Sequence, residues 1–232
     1  THAVTKLDGK AKGLTFKNAG NLTVGGETGL VTAAGGTHLE VTAGDLTVGT
    51  HGITNTAGAM MLKASGTLAL GPNAEVKSTG TAATTLEAAA VNFGADSKVS
   101  TAGGTINVKT DALTLPTGAQ GTLSSANGKV TVETKTAGKT MSVGSSSAAD
   151  LDLPNLDFIN SGTGEIHLGN DQTGAVEVGT ADVKAPLTAE SASTIKFTGV
   201  LTNAGGKDTT FKANAVDFGA GANLSAGAGT MT

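Results

Sequence analysis

The sequence predicts an all-β fold, a single-stranded parallel β-helix of about nine coils with 22–26 residues each. Three observations carry that expectation. A short apolar-x-apolar-Gly unit recurs at near-constant spacing. Residues 80–105 align without gaps on residues 205–230, with twelve of the 26 positions identical. Finally, 35 Gly, 36 Ala and 38 Thr make up nearly half of the 232 residues. Leu, Val, Ile and Phe together number only 48, too few for one deep core and suited to a thin, repetitive one.

The first unit appears as Leu22-Thr23-Val24-Gly25, Leu46-Thr47-Val48-Gly49, Leu68-Ala69-Leu70-Gly71 and Val91-Asn92-Phe93-Gly94. Leu113-Thr114-Leu115-Pro116 fills the next slot, with Pro in place of Gly. The unit returns at Met141-Ser142-Val143-Gly144, Ile166-His167-Leu168-Gly169 and Val216-Asp217-Phe218-Gly219. A second unit follows several residues later, opening at Val31, Val99, Leu123 and Leu201. Alternation within units marks strands with one buried face, and Thr is the expected partner on the outer face. Gly-Gly, Asn-Gly and Ala-Gly pairs between strands supply turns.

Units this short do not fit propeller blades of about 40–45 residues. A coil of a parallel β-helix stacks each strand on its equivalent about 4.8 Å away, so inward positions form columns and each coil needs only a few apolar residues. One stretch breaks the rhythm. Leu153, Leu156 and Ile159 in Asp150–Asn160 have near-helical spacing, and Pro154 suits a first helical turn. A short helical turn or loop is expected near 150–160, within an insert spanning 148–164. The chain otherwise reads as one continuous β-helix over 1–232.

Composition excludes several functions. Cys, Trp, Tyr and Arg are absent, so there is no disulfide, thiol nucleophile, arginine clamp or Tyr/Trp stacking platform. A net charge of −4 without Arg argues against nucleic acid. No apolar run is long enough for a membrane helix. The chain opens Thr1-His2-Ala3-Val4 without a signal-like segment and closes in mid-pattern, so both ends are expected to be cuts from a longer polypeptide.

The Gly/Ala/Thr/Val/Asn-rich units resemble the β-helical shafts of secreted bacterial proteins of the filamentous haemagglutinin type. Asn160-Ser161-Gly162-Thr163-Gly164-Glu165-Ile166-His167-Leu168-Gly169, followed by Gly174-Ala175-Val176-Glu177-Val178, is similar to a segment recurring in that family. The resemblance implies a right-handed coil and an extracellular role in adhesion, aggregation or a surface fibre. The expected function is therefore a non-enzymatic shaft. Its partners would be neighbouring coils of the same polypeptide, stacked copies, or a host or neighbour-cell surface or polysaccharide.

The alternative is a polysaccharide-binding or -cleaving β-helix using Asp150, Asp152, Asp157 and Glu165, where carboxylates two residues apart on an extended segment would share a face. The bland reading of these residues is solvated turn and cap positions. Solvated turn positions argue equally against calcium at these carboxylates. His38 and His167 fall at outward positions, and neither they nor His2 and His51 have metal-motif spacing. Thr54-x-Thr56 and Thr134-x-Thr136 do not recur at one place per coil, as an ice-matching surface would require. No catalytic, cofactor-binding or metal-ligating residue is assigned, and no cofactor is expected.

Overall fold

The structure, a computed structural model, describes residues 4–119, 122–145, 147–204 and 206–232. Among them are thirty short strands and no helix. The first coil is β1 (Lys6–Leu7), β2 (Gly9–Ala11) and β3 (Leu14–Asn18). The second is β4 (Leu22–Val24), β5 (Leu30–Thr32) and β6 (Thr37–Val41), and the third β7 (Leu46–Val48), β8 (Ile53–Asn55) and β9 (Met60–Ala64). β10 (Thr67–Leu70), β11 (Glu75–Ser78) and β12 (Thr84–Glu87) make the fourth. β13 (Ala90–Phe93), β14 (Lys98–Thr101) and β15 (Ile106–Lys109) follow, then β16 (Ala112–Thr114), β17 (Leu123–Ser125) and β18 (Val130–Glu133).

Next come β19 (Met141–Val143), β20 (Leu151–Leu153), β21 (Ile159–Asn160) and β22 (Ile166–Gly169). The upper coils are β23 (Val176–Val178), β24 (Ala181–Val183) and β25 (Leu187–Glu190), then β26 (Thr194–Phe197), β27 (Val200–Asn203) and β28 (Thr209–Lys212). β29 (Ala215–Phe218) and β30 (Asn223–Ser225) end the stack. Every pairing between strands of the described residues is parallel, and all but β19–β20 join counterparts one coil apart, so the chain is a parallel β-solenoid of about nine turns.

Three faces result. Face C is unbroken from β3 to β28. Its inner column runs Phe16, Leu39, Leu62, Leu86, Val108, Val132, Leu168, Ala189, Phe211. Face A stacks Leu22, Leu46, Leu68, Val91 and Leu113 in one column, and Val24, Val48, Leu70 and Phe93 in another. The 125-residue echo is real geometry: Thr84 and Thr209 share one inner column of face C.

Face B differs inside. Beside its apolar column Leu30, Ile53, Val76, Val99, Leu123 stands a buried polar one, Thr32, Asn55, Ser78, Thr101, Ser125. Three of these side chains satisfy corner carbonyls: Asn55 Nδ2 donates to Gly58 O at 3.0 Å, Thr101 Oγ1 to Gly104 O at 2.7 Å and Ser125 Oγ to Gly104 O at 3.0 Å. A buried carbonyl without such a donor would carry a desolvation cost, which these donors remove, whereas Thr32 Oγ1 pairs with the Thr37 hydroxyl at 2.6 Å.

Three expectations are corrected. Thr is not only an outward residue, since Thr32, Thr37, Thr84 and Thr101 face the interior. The second unit is displaced by one residue in its first copy: Leu30, not Val31, shares the column of Val99 and Leu123. With a side-chain period of two, that one-residue slip reverses inside and outside. Of the helical turn or loop expected near 150–160, the loop forms, over residues 154–158, and the helical turn does not. Leu151–Leu153 is strand β20, residues 156–158 bend and turn, and Ile159 begins β21. Leu153, Leu156 and Ile159 mimic helical spacing because a buried bend residue, Leu156, lies between two buried strand positions.

The irregularity lies earlier in the chain. After β18 the chain rises to β19, and the next strand, β20, lies beneath it. The order along face A is thus β20-β19-β23, with β20 packed against β16. Sequence order and axial order are reversed for this one pair. Ser142, an outward position of β19, is 0 % exposed, and its hydroxyl donates to Asp152 of β20. Face A consequently holds two rungs, β20 and β19, between β16 and β23, where face C holds only β22 between β18 and β25.

Candidate functional site

The four carboxylates considered from the sequence do not converge. Asp150 accepts from Lys139 Nζ at 2.7 Å, from Thr140 N at 2.9 Å and from Thr140 Oγ1 at 3.0 Å. Asp152 accepts from Ser142 Oγ. Both therefore clamp β20 to β19, holding the reversed pair together. Asp157 is exposed and lines a cleft between β21 and β24. Glu165 belongs to face C, beside Lys129 and His167. Each has separate partners, and general acid/base work on a glycosidic bond needs two carboxyl groups flanking one substrate.

Lys139 and Thr140 together hold the Asp150 carboxyl down at about 2 from its ordinary 3.8. A depressed folded-state value means that its contribution to stability is present above about pH 4. It is lost as pH falls through about 2. Acid titration followed by circular dichroism should show Asp150→Asn lacking the wild-type loss in that window. Identical acid curves for the two proteins would contradict the clamp.

His167 points outward as expected, in a column with Thr131 and Thr188, yet it is only 9 % exposed. Lys129 Nζ lies 2.9 Å from its Nδ1, and Glu190 Oε2 lies 3.2 Å from its Nε2. An ammonium can only donate, so Nδ1 accepts from Lys129 and the ring proton sits on Nε2, the nitrogen nearer Glu190. Burial pushes the Glu165 carboxyl up, but Thr188, Lys129 and His167 outweigh it and leave the group below its ordinary value. His38 lies on the same outward column lower in the stack, and His51 is exposed with Nδ1 3.3 Å from Gly26 O. His2 lies outside the described residues. Among the described residues, no three His, Asp or Glu side chains are grouped to hold a metal ion, and no helix is long and apolar enough to cross a membrane.

The outer surface carries a pattern that unit-by-unit reading missed. One outward column of face C runs Lys17, Glu40, Lys63, Glu87, Lys109, Glu133, then Gly169, Glu190, Lys212. Ion pairs join neighbouring rungs at 3.1 Å for Lys17–Glu40, 3.2 Å for Lys63–Glu87 and 3.7 Å for Lys109–Glu133. The signal was available as acid and base alternating one coil apart.

Each exposed pair contributes about 0–1 kcal/mol, so the column sets rung register more than bulk stability. Lys63→Glu places three carboxylates on consecutive rungs. It should cost about 1 kcal/mol at low ionic strength, with most of the loss recovered at high salt. Urea titrations at two salt concentrations test this, and a salt-independent loss would contradict a Coulombic ladder.

Fold and surface together define the class: a parallel β-solenoid whose charged side chains mostly serve neighbouring rungs. No protein-family model, curated protein or solved structure matches the chain.

Proposed function

We propose that the chain is a non-enzymatic shaft segment of a secreted or cell-surface filamentous protein of the filamentous haemagglutinin type, acting in adhesion, aggregation or an extracellular matrix. The observation that supports this reading is face C, where nine strands in register share an inner apolar column and the first six carry an outer column of alternating charge. Such an array resists bending because every coil is bonded to two others. The end coils also bear apolar side chains at the surface, Val4 below and Val216 and Phe218 above, the last two 46 % and 54 % exposed. A further β-helical coil on each end would cover them.

Electron microscopy of the native material, averaged along the long axis, tests the reading. Continuous rods with an axial repeat near about 4.8 Å are expected. Discrete particles without such a repeat would overturn it.

A further inference from the structure

The reversal of β19 and β20 leaves a consequence on face B. The rung containing β19 continues as far as the corner: Gly144 N donates to Leu153 O at 2.8 Å, and Thr180 N donates to Gly144 O at 2.9 Å. There the chain turns back, so the rung has no strand on face B. β21 pairs on one side only, with β17, and β24 on one side only, with β27. Between them is a cleft of about 460 Å³, floored by Leu156, Ile159 and Val183 and bordered by Asp157, Asp182 and Lys184. Face C closes over the same level through β22 and β25, so the extra strand spacing of face A is taken up here as a one-rung gap.

Both lips of this gap offer main-chain groups. Alternate residues of a parallel strand direct both N–H and C=O to the same neighbour. Val183 O accepts from Ala204 N on the β27 side at 3.0 Å, so the N–H and C=O of Asp182 face the cleft. On the lower lip Phe158 O accepts from Leu123 N, leaving the Ile159 carbonyl on the cleft side, while its N–H bonds Leu156 O at 3.0 Å. Asp157, Asp182 and Lys184 form no ion pair among the described residues, although seven lysines elsewhere do.

We propose that this gap binds an extended peptide strand, which completes the missing rung of face B in parallel register. Its pattern follows from the lips. Ile159 and Ala181 face inward, as do Ser161 and Val183, whereas Asn160 and Asp182 face outward. The ligand therefore alternates small or apolar inward residues with outward ones. A lysine or arginine lies beside Asp182, and an acidic residue two positions on lies beside Lys184. This is strand addition, with main-chain bonds supplying affinity and the two charges supplying register.

The probe is a fluorescein-labelled seven-residue peptide with valine at inward positions and lysine then glutamate at successive outward ones. Titration with the 232-residue chain should give saturable anisotropy below about 1 mM. Reversing the peptide's two charges should weaken binding about tenfold. The double variant Asp182→Lys, Lys184→Glu should exchange the preference, binding the reversed peptide better than the original. Both side chains are exposed, so circular dichroism should be unchanged. In the unsubstituted chain the Asp182 amide should exchange more slowly with peptide bound, a readout independent of any variant.

Four results would overturn the proposal: no saturation by about 1 mM, equal binding of a peptide with proline at its centre, failure of the charge exchange, or an Asp182 amide unaffected by the peptide. Displacement of the peptide by a neutral polysaccharide, or occupation of the cleft by a second copy of the chain, would also count against it.

Discussion

Gly52→Val is expected to break the stack between the third and fourth coils. Gly52 sits at the corner before β8 with φ +66°, a region that β-branched residues avoid. A Cβ there would fall well inside contact distance of the carbonyl oxygen of Glu75, one coil above. Neither atom can move aside, because both belong to backbone held by the ladder. Strain and overpacking together should cost about 2–5 kcal/mol. Gly26→Ala is the control: its added Cβ would meet only the Thr23 Cγ2 at an ordinary 3.5 Å, so it should be near neutral. Urea titration with limited proteolysis should show early cleavage around residues 49–60 for Gly52→Val alone. Equal stability of the two variants would refute the corner argument.

Leu86→Ala should produce a comparable loss, about 2–5 kcal/mol. Leu86 is 0 % exposed and stands in the face C column between Leu62 below and Val108 above. The strand spacing along the axis is set by backbone hydrogen bonds, so neighbouring rungs cannot close on the space left behind. Thr85→Ala, one residue away on the outer face, should stay within about 0.5 kcal/mol. Each coil touches only its neighbours, so the loss should appear first as local opening of β9, β12 and β15. Hydrogen exchange of those strands measures it, and uniform loss of protection along the rod would argue for a single cooperative unit instead.

Much of this architecture was legible because the solenoid writes the same short rule in every coil. Leu22-x-Val24, Leu46-x-Val48 and Leu68-x-Leu70 are strands by alternation alone, and their spacing announces that they stack. The polar column of face B was harder to see. Thr32, Asn55, Ser78, Thr101 and Ser125 look like outward residues until the turn that follows is known to aim its carbonyls inward. Of the four carboxylates singled out, Asp150 and Asp152 proved to be clamps between β19 and β20, a role that needs the partner strand to be known.

The sequence by itself determined the coil length, the positions of the repeated apolar-x-apolar strands and the stacking of like on like, because those depend on alternation and repeat spacing, which are local. Only the tertiary structure decided the order of β19 and β20 along the axis, and with it the gap between β21 and β24. Met141–Val143 and Leu151–Leu153 carry the same apolar-x-apolar signature. Nothing local distinguishes the rung below from the rung above. The choice rests on which strand edge is paired and on the bonds that Asp150 and Asp152 accept from Thr140 and Ser142. These are contacts between segments ten residues apart in the chain but adjacent in the stack, so they exist only once the coils have formed.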